Sequence, residues 1–168
     1  MTKEIKLTIF QYKIIHYFLY TNSILYKMKK VENPLCPFCT NVDQTISHLF
    51  VSCPCASSFW SEFTKWYQSI SKKTLNLSKN EVMYGVLNDW SSCSTLNHLI
   101  LIGKYFLYCK ALNSGKFQFA DYIKVAVMMI LVFIGRRASP RFRGIGRWRH
   151  SSSIWTWGRM VRIWMVIF

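Results

Sequence analysis

The fold is decided by the stretch Cys36-Pro-Phe-Cys39-Thr-Asn-Val-Asp-Gln-Thr-Ile-Ser-His48-Leu-Phe-Val-Ser-Cys53, which has the spacing C-x2-C-x8-H-x4-C. Three thiolates and one imidazole within eighteen residues are the ligand set of a closed, tetrahedral zinc site. Such a site holds a fold together and leaves no coordination position open for chemistry. The motif therefore predicts Zn²⁺ as a structural cofactor and a binding role rather than catalysis. The predicted ligands are Cys36, Cys39, His48 and Cys53.

Two other interpretations of the cysteines compete with this assignment. Cysteine is often buried as a small apolar side chain, and Cys55 competes with Cys53 as a ligand. The combination of a thiol pair, a histidine and a last thiol at usable spacing favours the zinc site. Cys93 and Cys109 have no partner at such a spacing, so we predict that they are core thiols.

The sequence around the motif predicts a turn followed by a short helix. Pro34 and Pro37 bracket the first thiol pair, and a C-x2-C turn brings both sulfur atoms to one side of a tight bend. We expect Asn41 to cap the helix, with Gln44 three positions later, and Pro54 to end it. The histidine and the last cysteine would point in different directions on an unbroken α-helix, so we expect the last ligand in the exit turn. The residues predicted to face inward are Ile46, Leu49 and Phe50.

Several short stretches of this sequence occur together in a known family. They are Phe10-Gln-Tyr-Lys-Ile-Ile-His16, Thr21-Asn22, Leu25, Cys36-Pro-Phe-Cys39, Thr45, His48-Leu49-Phe50, Cys53-Pro54 and Phe59-Trp60. With them the chain resembles the zinc-binding domain that lies C-terminal to reverse transcriptase in LINE-type retrotransposons. A weaker likeness runs through Val86-Leu87 and residues 96–110, so the resemblance extends from residue 5 to near residue 125. Gln44 departs from the family pattern, which usually has Glu there, but it is not a ligand.

The resemblance implies a module that binds nucleic acid without the polymerase active site. In that family the domain lies beside the polymerase and is thought to help hold template RNA or target DNA during target-primed reverse transcription. We expect this chain to be detached from that enzyme, which makes an inert relic without a selected function the alternative.

The whole-chain composition agrees with a basic, intracellular protein. The 168 residues, 51% of them apolar, suffice for one domain with a core and a tail. A formal net charge of +15 with seven acidic residues favours a polyanionic partner, either RNA or DNA or an anionic membrane surface. Six cysteines, three of them in the metal motif, favour a reducing compartment. If the chain is functional, we expect this compartment to be the nucleus. The N-terminus lacks the apolar segment of a secretory signal.

Apolar periodicity predicts a mainly α fold, a small helical domain built around the Cys3His zinc site. Helices are predicted over residues 4–19, 24–30, 56–70, 81–87 and 95–112, and an apolar segment runs from 119 to 135. No β-alternation of any length appears. We place the zinc-binding domain at residues 1–125 and an apolar, then Arg/Trp-rich tail at residues 126–168.

Polymerase chemistry is excluded by the acidic residues. Two-metal catalysis needs paired carboxylates, whereas Asp121 is followed by Tyr122 and the other acids are scattered, so we expect no enzyme. Residues 126–134 are strongly hydrophobic but too few to span a bilayer, which needs about 20 apolar residues. A buried or mistranslated helix is the interpretation that we favour.

The end of the chain differs in composition from the rest. All fourteen lysines lie between Lys3 and Lys124, all eight arginines lie between Arg136 and Arg162, and the last 33 residues contain no acid. This change favours translation outside the ancestral reading frame. The alternatives are a tail that binds phosphates and stacks on bases, or a membrane-surface anchor.

Six lysines flank the zinc motif and the helix after it. A cluster of lysines binds phosphates through salt-dependent, sequence-tolerant contacts, although a solvated basic surface is the alternative for each residue. The candidate nucleic-acid-binding residues are Lys27, Lys29, Lys30, Lys65, Lys72 and Lys73. No small-molecule substrate is implied. Besides the nucleic-acid-binding module and the inert relic, a basic membrane-associated protein is the third function that the sequence leaves open.

Overall fold

A computed structural model describes residues 3–86, 94–113 and 116–137, and this part of the chain is helical without strands. The elements are α1 (Lys3–Ile15), α2 (Asn22–Lys27), a π-helical turn (His48–Ser52), α3 (Pro54–Ser71), α4 (Lys79–Tyr84), α5 (Ser94–Leu112) and α6 (Phe119–Arg137). The prediction of a mainly α domain around a Cys3His site is confirmed.

Helix α1 is shorter than predicted, and only one of its two apolar stripes is covered. Leu7, Phe10 and Ile14 are buried, whereas Ile5 and Ile9 are exposed. The helix ends at Ile15 instead of continuing to residue 19, because the chain turns out of the helix through a left-handed residue at position 17.

The core is an aromatic cluster between α3, α5 and α6. Phe59, Trp60 and Phe63 of α3 are buried, as the aromatic periodicity of residues 56–70 predicts. Phe59 makes an edge contact with Tyr122 at 5.1 Å between ring centroids. Tyr122 is fully buried, and its hydroxyl donates to the Leu99 carbonyl at 3.1 Å. The tyrosine next to Asp121 is therefore part of the core.

Helix α5 approaches α3 closely at a glycine. A Cβ atom added to Gly103 would lie 3.0 Å from the Trp60 ring and 3.2 Å from the Phe59 ring. The next residue, Lys104, is only 2% exposed, and its ammonium donates to Gln11 Oε1 at 2.6 Å and to the Met83 carbonyl at 2.9 Å. Burial lowers the Lys104 pKa to about 7. This lysine joins α1, α4 and α5 inside the protein.

Helix α4 begins earlier than the predicted start at Glu81. Ser78 caps it by accepting from the Glu81 N–H, and the Glu81 carboxylate accepts from the Ser78 N–H, so the two residues form a capping box. The helix ends at Tyr84, because Gly85 (φ 94°) leaves the helical conformation.

One compact unit covers Met1–Leu131. The predicted domain boundary at residue 125 stays a prediction. Within the described residues, no helix is both long and apolar enough to cross a membrane. The Arg/Trp-rich tail from residue 138 onward, with the reading-frame and membrane-anchor hypotheses that depend on it, lies outside the described residues, as does Cys93.

Candidate metal centre

The four predicted ligands come together in space. The sulfur atoms of Cys36, Cys39 and Cys53 and a ring nitrogen of His48 all lie within 4.8 Å of one another. The Cys36 and Cys53 sulfur atoms are 3.9 Å apart, and the Cys39 sulfur atom is 3.3 Å from His48 Nε2. A tetrahedral ion with Zn–S bonds of about 2.3 Å places sulfur atoms about 3.8 Å apart. The cluster is therefore a site for Zn²⁺.

The first thiol pair lies in a loop between two antiparallel segments. Leu35 and Asp43 form an antiparallel bridge, and the Cys36 N–H donates to the Val42 carbonyl at 2.8 Å. Asn41 lies in this loop and is exposed, so the prediction that it caps a helix is wrong. The backbone groups that such a helix would use are already paired across the loop.

A π-helical turn brings the histidine and the last cysteine to one side. The Cys53 N–H donates to the His48 carbonyl at 2.8 Å, which spans five residues instead of the four of an α-helix. On an α-helix the two side chains would lie about 140° apart around the axis, and the wider turn reduces this angle. Cys53 is extended (φ −66°, ψ 132°) directly after the turn, so its predicted exit position is confirmed.

The start of this turn depends on residues whose roles the sequence did not predict. The His48 N–H donates to Thr45 Oγ1 at 3.1 Å. Gln44 is 4% exposed, and its Oε1 accepts from the Asn22 N–H at 2.8 Å, while Asn22 Nδ2 donates to the Leu35 carbonyl at 2.9 Å. Gln44 is therefore a bridge between α2 and the metal loop rather than part of a helix cap. The sequence signal for this role was that the family which the motif resembles usually has Glu at the position of Gln44. A carboxylate oxygen and an amide oxygen can accept a hydrogen bond from the same N–H.

Backbone N–H groups stabilise the thiolates of the cluster. Cys36 accepts from Phe38 and Cys39, Cys39 accepts from Asn41 and Val42, and Cys53 accepts from Cys55 and Ala56. Donation by Asn41 lowers the pKa of half-buried Cys39, whereas burial raises the pKa of Cys53 and raises the pKa of Cys36 to about 11. Burial also lowers the pKa of His48, which favours the neutral imidazole that binds metal. A bound divalent cation is what would hold the two buried sulfur atoms as thiolates near neutral pH.

The other cysteines do not join the cluster in the described part of the chain. The Cys55 thiol donates to the Phe38 carbonyl at 3.8 Å, and the set of converging ligand atoms includes Cys53 instead. Cys109 is half-buried in α5, where burial raises its pKa to about 11. Cys109 is therefore less buried than the core thiol that the sequence predicted.

The metal site is joined to the core through the π-helical turn. Leu49 and Phe50 are fully buried, as predicted, and Ile46 is 4% exposed. Trp60 Nε1 donates to the Phe50 carbonyl at 2.7 Å, and the Phe50 ring meets the Phe10 ring edge-on at 6.2 Å. Metal binding therefore fixes a turn that contacts both α1 and α3.

The six candidate lysines are all exposed and lie in two places. Lys27, Lys29 and Lys30 line an open hollow of about 640 Å³ at the end of α2. Lys65 is on α3, and Lys72 and Lys73 follow it. Their contacts with nucleic acid stay a prediction.

Comparison with known proteins supports the metal centre. Residues 2–60 match the family described as zinc-binding in reverse transcriptase. The matched segment is about a third of the chain and contains all four ligands. No curated protein and no solved structure matches the chain.

Proposed function

We propose that this chain is a zinc-stabilised nucleic-acid-binding module derived from the reverse transcriptase of a LINE-type retrotransposon. The observation that carries the proposal is the match of residues 2–60 to a reverse-transcriptase zinc-binding family, together with a complete Cys3His cluster in that segment. The family is a zinc-binding one and not the polymerase domain, which supports a role in binding rather than in catalysis.

The charges of the site support a binding role for the lysines. Three thiolates, a neutral imidazole and Zn²⁺ sum to a net charge of about −1, so the centre does not itself attract phosphate. Its effect is to hold the loop that follows α2 and the turn that precedes α3. Lys27, Lys29 and Lys30 precede this loop, and Lys65, Lys72 and Lys73 follow the turn, so both groups depend on the same centre.

The proposal is tested with the zinc-loaded full chain and fluorescein-labelled 20-nucleotide RNA and DNA, by fluorescence anisotropy over a range of salt concentrations. If six lysines contact a single strand, log K falls with log salt with a slope of about −4, and each lysine triple changed to glutamine reduces that slope by about 2. The matched control is Lys79→Gln with Lys116→Gln and Lys124→Gln, which removes three other exposed lysines. If the control variant loses as much affinity as either test variant, the lysine assignment is wrong.

The origin of the chain has a separate test. Alignment of the encoding DNA in all three frames against LINE-type elements should show the family pattern in the present frame over the zinc-binding segment. An in-frame match through residue 168 would contradict the reading-frame hypothesis for the tail. A chain that binds no RNA or DNA at low salt, with its zinc present, would contradict the proposed function.

A further inference from the structure

Three neighbouring aromatic rings are exposed at the C-terminal end of α1 and just after it, and we call them the aromatic ledge (Tyr12, His16 and Phe18). The Tyr12 and His16 ring centroids are 4.2 Å apart with planes tilted by 40°. The His16 and Phe18 rings are 6.2 Å apart with planes 21° from parallel. Tyr12 is 54% exposed and Phe18 is 64% exposed. More than half of the surface of Tyr12 and of Phe18 is therefore free to contact a further ring.

The backbone that carries the ledge is fixed. Tyr17 has φ 58°, its N–H donates to the Ile14 carbonyl at 3.2 Å, and the Phe18 N–H donates to the Lys13 carbonyl at 2.8 Å. These two bonds and the left-handed residue are the Schellman arrangement that ends many helices. In that arrangement the residue at the Phe18 position commonly packs against the last helical turn, whereas here its ring faces solvent. Burial of the ring therefore does not explain an aromatic residue at this position.

The chain segment that carries the ledge is basic. Residues 5–31 contain five lysines and no acidic residue, and Lys13 of α1 is exposed within the ledge segment. Helix α2 is about 9 Å long and joins the turn after the ledge to the hollow, whose lining contains three lysines and one acidic residue, Lys27, Lys29, Lys30 and Glu32. Open rings beside a row of cations are the combination that binds a flexible polyanion with planar bases.

We propose that the aromatic ledge stacks on the bases of single-stranded nucleic acid while the neighbouring lysines bind its phosphates. This inference rests on the proposed function and narrows it to single strands, because bases in a duplex are already stacked on one another. The stacking tolerates any sequence, since every base presents a π-face.

The experiment compares three probes bound to the zinc-loaded full chain: fluorescein-labelled oligo(dT) of 20 nucleotides, an abasic strand of equal length, and a duplex of equal length. Each stacking ring contributes about 5- to 150-fold in affinity for the strand with bases, so Tyr12→Ala and Phe18→Ala should each weaken oligo(dT) binding within this range. Neither substitution should change binding of the abasic strand or of the duplex. Tyr12→Phe should keep the affinity, whereas Tyr12→Leu, which keeps apolar bulk without a π-face, should lose it.

The matched control is Tyr84→Ala on α4, because Tyr84 is 52% exposed and lies outside the ledge. Equal loss of abasic-strand and oligo(dT) binding in the Tyr12 and Phe18 variants would overturn the inference, as would unchanged oligo(dT) binding. In both outcomes the unchanged chain still binds the probes, which differs from failure of the proposed function, in which the unchanged chain binds no probe.

Discussion

Replacement of Cys53 by serine tests whether Cys53, rather than Cys55, is the fourth zinc ligand. Structural zinc sites have apparent binding free energies of about 10 to 16 kcal/mol, so one of four ligands contributes on average about 2.5 to 4 kcal/mol. Loss of the Cys53 sulfur should therefore weaken zinc binding by about 60- to 900-fold. Serine keeps nearly the same size and suits the N-cap of α3, which Cys53 occupies, so the loss reports on the metal and not on the helix start.

The assay is competition with a chromophoric zinc chelator at pH 7, together with far-UV circular dichroism before and after chelation. The matched control is Cys55→Ser, because Cys55 contacts the Phe38 carbonyl and lies outside the set of converging ligands. It should bind zinc as the unchanged chain does. Equal weakening by the two substitutions, or weakening by Cys55→Ser alone, would refute the ligand assignment. Unchanged helicity after chelation would refute the view that the metal holds the π-helical turn against α3.

Substitutions at three further residues test the packing around the site. Lys104→Met should remove a pH dependence of the stability. The Lys104 pKa is about 7 in the folded chain and 10.5 in the unfolded chain, so the unfolded chain binds more protons between these values. In urea unfolding, the free energy of unfolding should therefore rise with pH in this range, by at most about 5 kcal/mol, for the unchanged chain but not for the variant. A constant difference between the two chains from pH 7 to 10 would contradict this. Gly103→Ala should lower the free energy of unfolding by about 1 to 3 kcal/mol, because its Cβ meets the Trp60 ring at 3.0 Å; an unchanged thermal midpoint would show that the helices separate freely. Gln44→Ala should cost about 1 to 3 kcal/mol, because the Asn22 N–H loses its acceptor, whereas Gln44→Glu should restore most of the midpoint.

The sequence predicts the ligands and the long helices because their signals are local. The C-x2-C-x8-H-x4-C spacing names four ligands without knowledge of the backbone, and the structure brings all four together. The periodicity of residues 56–70 and 95–112 predicts α3 and α5 to within two residues at each end.

The backbone of the metal loop could not be predicted in this way. Its hydrogen bonds are made to Asn22, which precedes the motif, and across the loop between residues 35 and 43, so a pattern within the motif does not contain them. The same holds for α1, where two apolar stripes are present and only tertiary contacts decide that Phe10 is buried and Ile9 exposed. Lys104 lies within an apolar helix, and its partners come from two other helices.

Two of the candidate phosphate-binding lysines occupy backbone positions that favour glycine. Lys29 (φ 55°) follows α2, and Lys72 (φ 57°, ψ 14°) is the C-cap of α3. A left-handed conformation costs a residue with a Cβ about 1 to 2 kcal/mol, which the attraction between a lysine and the helix C-terminus, about 0.3 to 1 kcal/mol, offsets only in part. Glycine would thus suit these positions at least as well as lysine, so the fold alone does not explain the charge.

Lys72→Gly separates the two effects. The thermal midpoint should stay the same or rise, corresponding to a gain of up to about 1 kcal/mol, because glycine adopts the left-handed conformation without strain. Affinity for single-stranded RNA at low salt should fall, and the salt slope should decrease by about 0.7, because one phosphate contact is lost. Lys73→Gln is the matched control: it removes a neighbouring charge at a residue without positive φ and should lower the affinity with no gain in stability. A Lys72→Gly chain that is more stable and binds RNA unchanged would show that this lysine has no part in binding, and the assignment of the lysines after α3 would fail with it.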